Sequence, residues 1–150
     1  MLFRSESAWL DRASLVRREG MHTIAESAPS RWFTPEFYGL NPSLVNELLV
    51  NLKNTSPEGY ASCCEALAHE NLSKSISGIK VPTLIIAGMM DPVTTVPDAV
   101  AMQNQIQDSE LVQLSASHIS NVEAEVEFNS CIKQFFSKRV QEATHLVVNE

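Results

Sequence analysis

The sequence predicts an α/β fold: a helical region followed by a βαβα piece of a parallel sheet. Three observations predict it. The pattern through residue 78 is helical. The short run Val81 to Ala87 (VPTLIIA) is apolar and β-branched, as expected of a parallel strand buried on both faces. A second strand-sized run, Leu111 to Leu114, follows after a helix-length stretch. The expected organisation is residues 1–78 helical, 79–138 βαβα and 139–150 a tail, either a frayed helix end or a disordered extension.

The elements follow in order. Trp9, Ala13, Val16, Gly20 and Ile24 recur at helical spacing, with Gly20 placed to kink or split that helix. Thr34-Pro35, Asn41-Pro42 and Ser56-Pro57 each read as an N-cap with proline at the first helical position, where a missing N–H costs nothing. The helix after Asn41 carries Leu44, Val45, Leu48, Leu49 and Leu52; the helix after Ser56 carries Tyr60, Cys64 and Leu67. Pro82 has to sit at the start of the first strand. Thr95 with Asp98 caps a helix from Val96 to about Gln105 that turns Ala99, Met102 and Ile106 inward. Ser120 and Glu123 read as an S-x-x-E capping box, ahead of a helix with Val122, Phe128, Ile132 and Phe135 along one face. A two-stranded sheet is marginal alone, and the strand at Val81 is too apolar to leave one face in water. Its further strands are expected either outside this sequence or from another chain.

Composition limits the function. Of the 150 residues, 44% are hydrophobic and 19% charged, which is globular rather than disordered. No apolar run approaches the ~20 residues of a membrane span. Met1 to Ser14 carries Arg4, Glu6, Asp11 and Arg12 and no apolar core of a signal peptide. A cytoplasmic location is the expectation. Eleven Lys and Arg against 18 Asp and Glu give a net charge of −7, which disfavours nucleic acid and anionic membranes as partners but leaves room for a local basic pocket. Cys63, Cys64 and Cys131 are odd in number and lack CxxC spacing, as in a reduced protein with buried thiols.

Two polar residues sit where α/β folds place their sites, just past the carboxyl ends of strands. Asp91 follows VPTLIIA through Gly88, Met89 and Met90; His118 follows LVQL through Ser115, Ala116 and Ser117. A carboxylate and an imidazole on adjacent strand ends can hydrogen-bond, the acid fixing the tautomer and stabilising the imidazolium. That is the second half of a Ser…Asp…His order. Other polar residues read more plainly. His22, His69 and His145 are expected at the surface or at helix ends, and Asp98 as a charge favoured at a helix N-terminus. Cys64 lies in an apolar helical pattern with no base nearby, so it is not read as a nucleophile. Met89 and Met90 either line the loop over a pocket or simply pack.

Four segments resemble one family in order. GMMDPVTTVPDA (Gly88 to Ala99) and ASHISNVEAEVEF (Ala116 to Phe128) are similar to the acid and histidine loops of the 3-oxoadipate enol-lactonases, which are α/β-hydrolases. RWFTPEF (Arg31 to Phe37) and TSPEGYASCCEAL (Thr55 to Leu67) resemble that family's helical cap. The resemblance covers about residues 6 to 137 and implies an incomplete α/β-hydrolase: the cap at 1–78, then the last two strand–helix units. It implies Asp91 as the triad acid and His118 as the base. The family's G-x-S-x-G elbow has no counterpart among the five glycines here, and neither does the oxyanion loop.

By the resemblance, the intact enzyme opens 3-oxoadipate enol-lactone in aromatic catabolism, the β-ketoadipate pathway, with no metal and no organic cofactor. A small lactone carrying a free carboxylate is the implied substrate. Arg31, beside Trp32, is the expected cation, because a guanidinium holds a carboxylate bidentately. The 150-residue chain alone is expected to hydrolyse negligibly, since it holds no nucleophile. Two other readings stand beside this one. The chain is a non-catalytic partner whose open strand edge docks on a second copy or on a separate N-terminal half, or it serves another ester or lactone specificity.

Overall fold

In a computed structural model that describes residues 5–148, helix α1 (Glu6–Glu19) ends at Gly20. Gly20 takes a φ of 76°, in the left-handed region open to a residue without Cβ, and its N–H donates to the Val16 carbonyl at 2.8 Å. The expected split of the first helix therefore falls at this glycine, and α2 (His22–Glu26) follows. The chain divides into two units, Met1–Lys74 and Ser75–Glu150, described separately below.

The first unit continues with α3 (Pro29–Trp32), α4 (Pro35–Leu40), α5 (Pro42–Lys53) and α6 (Pro57–His69). The Thr34 hydroxyl accepts from the Phe37 N–H and the Ser56 hydroxyl from the Gly59 N–H, both at 3.2 Å, as their T-P and S-P signals imply. Asn41 differs from expectation in part. It sits at the cap of α5 with Pro42 in the first turn, as expected, but its side-chain amide donates backward to the Phe37 carbonyl at 3.1 Å and makes no cap bond to α5. The one-turn α3 carried no periodic signal, being too short to show one.

Small residues let α1 and α6 meet. Ala13, Ala61 and Cys64 are buried together, flanked by Trp9 and Tyr60. A second cluster joins Val16, Met21 and Ile24, against Leu15, Leu52 and Tyr60. Each fully buried side chain such as Val16 contributes about 1.5–3 kcal/mol. The Arg12 Nε donates to the Tyr60 hydroxyl at 2.7 Å across the same pair of helices. Of the cysteines, Cys64 is buried, Cys131 half-buried and Cys63 exposed. That corrects the expectation of buried thiols, since adjacent helical positions point about 100° apart and only Cys64 faces α1.

The second unit holds β1 (Thr83–Gly88), α7 (Val96–Gln103), β2 (Ser109–Leu114), α8 (Ser120–Glu123) and α9 (Glu125–Val148). The two strands pair in parallel, with Thr83 opposite Ser109 and Gly88 opposite Leu114. Pairing starts at Thr83, whose N–H reaches the Asp108 carbonyl at 2.9 Å; Pro82 has no N–H to give and Val81 is 66% exposed. Strand alternation sorts β1 into two faces. Ile85 and Ala87 pack with Ala99 and Ile106. Leu84 and Ile86 turn to the other face, where they line an apolar groove with Phe128, Ile132, Phe135 and Phe136 of α9. Helices thus stand over both faces of the sheet.

Thr95 and Asp98 start α7 as expected, the Asp98 carboxylate accepting from the Thr95 N–H at 3.0 Å and its hydroxyl at 2.8 Å. Ser120 and Glu123 do not form their expected box. Ile119 is the cap residue, and the Glu123 carboxylate reaches back to the Ser117 N–H at 2.7 Å. Ala124 interrupts the helix there, and α9 then runs through Val148, so residues 139–148 are helical. Asn149 and Glu150 lie outside the described residues. Arg139 ties α9 to the sheet through Asp108 at 2.8 Å and Glu110 at 3.1 Å. Among the described residues no helix is long and apolar enough to cross a membrane.

Candidate active site

The parallel register sets the ends of β1 and β2 side by side, and each strand continues into a tight loop. On the first, the Met89 N–H donates to the Leu114 carbonyl at 2.8 Å and the Met90 N–H to the Ala116 carbonyl at 3.0 Å. These cross-strand bonds carry the sheet pairing past Gly88 and bring Asp91 beside the histidine loop. Gly88 itself is required by space. A Cβ there would stand 2.3 Å from the Ser117 carbonyl oxygen and 2.6 Å from that of Ala116.

Asp91 and His118, 27 positions apart in sequence, meet with Nδ1 2.9 Å from Oδ2. The Asp91 side chain is 4% exposed and that of His118 32%. An ionised carboxylate only accepts, so the imidazole Nδ1–H donates, and Nε2 carries the lone pair. Among the described residues the ring's hydrogen bonds are both at Nδ1. The site can therefore take a proton at Nε2, hold the resulting imidazolium against a buried anion and return the proton.

Both carboxylate oxygens are fully engaged. Oδ1 accepts from the Val93 N–H at 2.7 Å and the Thr94 N–H at 3.1 Å; Oδ2 accepts from the Thr94 hydroxyl at 2.6 Å as well as from His118. Burial pushes the carboxyl pKa up, but the hydrogen bonds from Thr94, His118 and the two amides outweigh it. Asp91 is held below the usual carboxylate range. On the histidine side, Ser117 is buried. Its N–H is taken by Glu123, and its hydroxyl donates to the Met90 carbonyl at 3.3 Å.

The structure brings Asp91 and His118 together as their strand-end positions imply. Arg31 and Trp32 lie on α3 of the first unit. There the Arg31 Nε donates to the Ser27 carbonyl at 3.1 Å and Nη2 to Ile24 at 3.5 Å, so part of the guanidinium serves the local fold. Trp32 packs edge-on against Phe33. Met89 and Met90 are exposed, as are His22 and His69. The side chain of His145 is not among those described. Thr94, Glu123 and Gly88 were missed. The cue that leads to Thr94 is Asp91 itself, since an aspartate side chain commonly accepts from the backbone two residues on and draws the following turn round it.

No protein-family model matches the chain. Its backbone superposes on the crystal structure of the enol-lactonase from Burkholderia xenovorans with a TM-score of 0.87 and 35% identity, over 90% of this chain and 52% of that one. The fold is that of part of an α/β-hydrolase, and it holds an acid and a histidine in contact at its strand ends. Two curated relatives come from Acinetobacter baylyi. 3-Oxoadipate enol-lactonase 2 is 48% identical over 126 residues, and 3-oxoadipate enol-lactonase 1 is 38% identical over 124. The chain is thus a homologue of the 3-oxoadipate enol-lactonases. The matches take in 84% and 83% of it, and it spans about half the length of these relatives, 47% of each.

Proposed function

We propose that this chain supplies the acid and base of a lactone-opening α/β-hydrolase, acting on an enol-lactone that bears a carboxylate. The observation that carries the reading is the 2.9 Å contact between His118 Nδ1 and a buried Asp91 carboxylate at adjacent strand ends. In this mechanism Nε2 of His118 takes the proton of a serine-type hydroxyl as it attacks the lactone carbonyl. As the ring C–O bond breaks, Nε2 gives that proton to the enol oxygen, which stays tethered in the acyl group; the neutral Nε2 then takes a proton from the water that hydrolyses the acyl-enzyme and returns it to the hydroxyl oxygen. Arg31 and Trp32 enter the proposal as contacts to the substrate carboxylate, and the cytoplasm as its place of action.

The hydroxyl has to come from outside these 150 residues, which contain no G-x-S-x-G. We assign the provider to the other half of an α/β-hydrolase, docking as a parallel strand and helix on the free edge of β1. Two features support this occupant. β1 is paired on one side among the described residues, and beside it the groove under α9 is apolar, with Phe136 62% exposed. A parallel edge paired on one side, next to a partly open apolar groove, is what a sheet presents where it continues.

The test is complementation. The half of enol-lactonase 2 that this chain does not match is co-expressed with it, and opening of 3-oxoadipate enol-lactone is followed. The expected result is hydrolysis by the complex, abolished by His118→Ala, and a chain alone that is slower by about 10⁴-fold or more. A complex that forms and leaves the lactone intact would overturn the proposal. So would preference for a neutral ester.

A further inference from the structure

We propose that Thr94 is a positioning residue for the acid–base pair, its hydroxyl fixing which lone pair of Asp91 faces the His118 ring. The inference rests on the acid–base reading above but adds a residue to it. The Thr94 Oγ1 lies 2.6 Å from Asp91 Oδ2 and 3.4 Å from His118 Nδ1, so one hydroxyl touches both members. Oδ2 is the oxygen that receives the imidazole N–H. The hydroxyl proton has one acceptor in good range, the carboxylate, and it occupies the lone pair of Oδ2 that the ring does not use. Oδ1 is independently saturated by the Val93 and Thr94 amides.

The carboxylate therefore receives four donors, and rotation about its Cβ–Cγ bond would break several of them at once. Three of the four come from Val93 and Thr94, in the turn that Asp91 itself opens. The acid is pre-oriented by its own loop, and the ring docks on a fixed target. Without the hydroxyl, Oδ2 keeps an unmatched lone pair in a site 4% exposed. The carboxylate can then pivot to share its charge with water, and the Nδ1–H tautomer loses its lock. Glu123 acts on the other side, holding the Ser117 N–H next to the ring. The charged and titratable groups linked to the pair by these hydrogen bonds are Asp91, His118 and, one residue removed, Glu123.

The experiment reads the ring directly in the 150-residue chain. Imidazole ¹⁵N shifts and the low-field Nδ1–H proton of His118 are recorded across pH for wild type, Thr94→Val and Thr94→Ser. Thr94→Val keeps the shape and deletes the hydroxyl; Thr94→Ser keeps the hydroxyl. Expected are a single Nδ1–H tautomer in wild type, a mixed tautomer with loss of the low-field proton in Thr94→Val, and recovery in Thr94→Ser. The Asp91 carboxyl midpoint moves upward in Thr94→Val alone. In the complemented enzyme, kcat falls on the order of ten-fold with KM unchanged.

An unaltered tautomer in Thr94→Val overturns the inference, and so does a Thr94→Ser chain that behaves like Thr94→Val, because packing would then be the cause. If Thr94→Val does not fold, Thr94→Ala paired with Thr94→Ser gives the same readings. The ring signals need no substrate. A chain that opens no lactone can still satisfy this test, and an active complex indifferent to Thr94 would sink the inference alone.

Discussion

Gly88→Ala should separate the two strand ends that carry the acid and the base. The new methyl would lie 2.3 Å from the Ser117 carbonyl oxygen and 2.6 Å from that of Ala116, both backbone atoms with no rotamer to yield. A carbon–oxygen contact settles at about 3.3 Å or more, so the strand ends must part by roughly 1 Å. Overpacking of this kind costs about 1–3 kcal/mol, or a drop in Tm of about 5–20 °C for a unit of this size. The movement also acts on the site. Ser117 precedes His118, and 1 Å added to the 2.9 Å Nδ1–Oδ2 contact takes it out of hydrogen-bond range. Calorimetry reads the first effect and the low-field imidazole proton reads the second. A variant that melts within about 1 °C of wild type and keeps that proton would refute the reasoning, since the backbone would then have room the structure does not show. Backbone conformation is not at issue, because Gly88 has no positive φ.

Three further outcomes follow from the same geometry. Asp91 has a folded-state pKa below that of the unfolded chain, near 3.9, so its stabilisation is full above about pH 4 and is lost as pH falls through the folded value. Asp91→Asn should therefore be less stable than wild type at pH 7, with the gap closing in acid; a gap constant down to pH 3 would contradict this. Glu123→Ala removes the carboxylate that accepts from the buried Ser117 N–H and should cost about 1–3 kcal/mol in chemical denaturation, with broadening of the His118 ring signals; sharp, unshifted signals would remove Glu123 from the loop's support. Phe136→Asp, at an exposed groove position, should change the stability of the chain by about 1 kcal/mol or less yet abolish binding of the complementing half in analytical ultracentrifugation. Undiminished binding would place the docking surface elsewhere.

Local chemistry was the most legible part of the chain. Proline and hydroxyl pairs marked the starts of α4 and α6 because capping involves atoms three residues apart, and Gly20 marked the end of α1 because a residue without Cβ takes the left-handed turn there. Short apolar runs placed both strands to within two residues at each end. Signals that admit two local partners misled. The Asn41 side chain could bond forward into the helix that it starts or back to the previous one, and bonds back. Glu123 could reach Ser120 or go further back, and accepts from the Ser117 amide in the histidine loop.

Strand-end position, together with the resemblance of the two loops, pointed to Asp91 and His118, because the carboxyl edge of a parallel sheet is where loops open and where polar groups can converge without disrupting pairing. What held them there depended on register. The pair closes a separation of 27 residues, and that distance is set only when Gly88 aligns with Leu114 and the Met90 amide finds Ala116. Neither the missing room for a Cβ at 88 nor the shared lone pairs of Oδ2 can be computed from spacing along one chain. They are properties of two backbones brought within van der Waals reach, and the fold alone decides them.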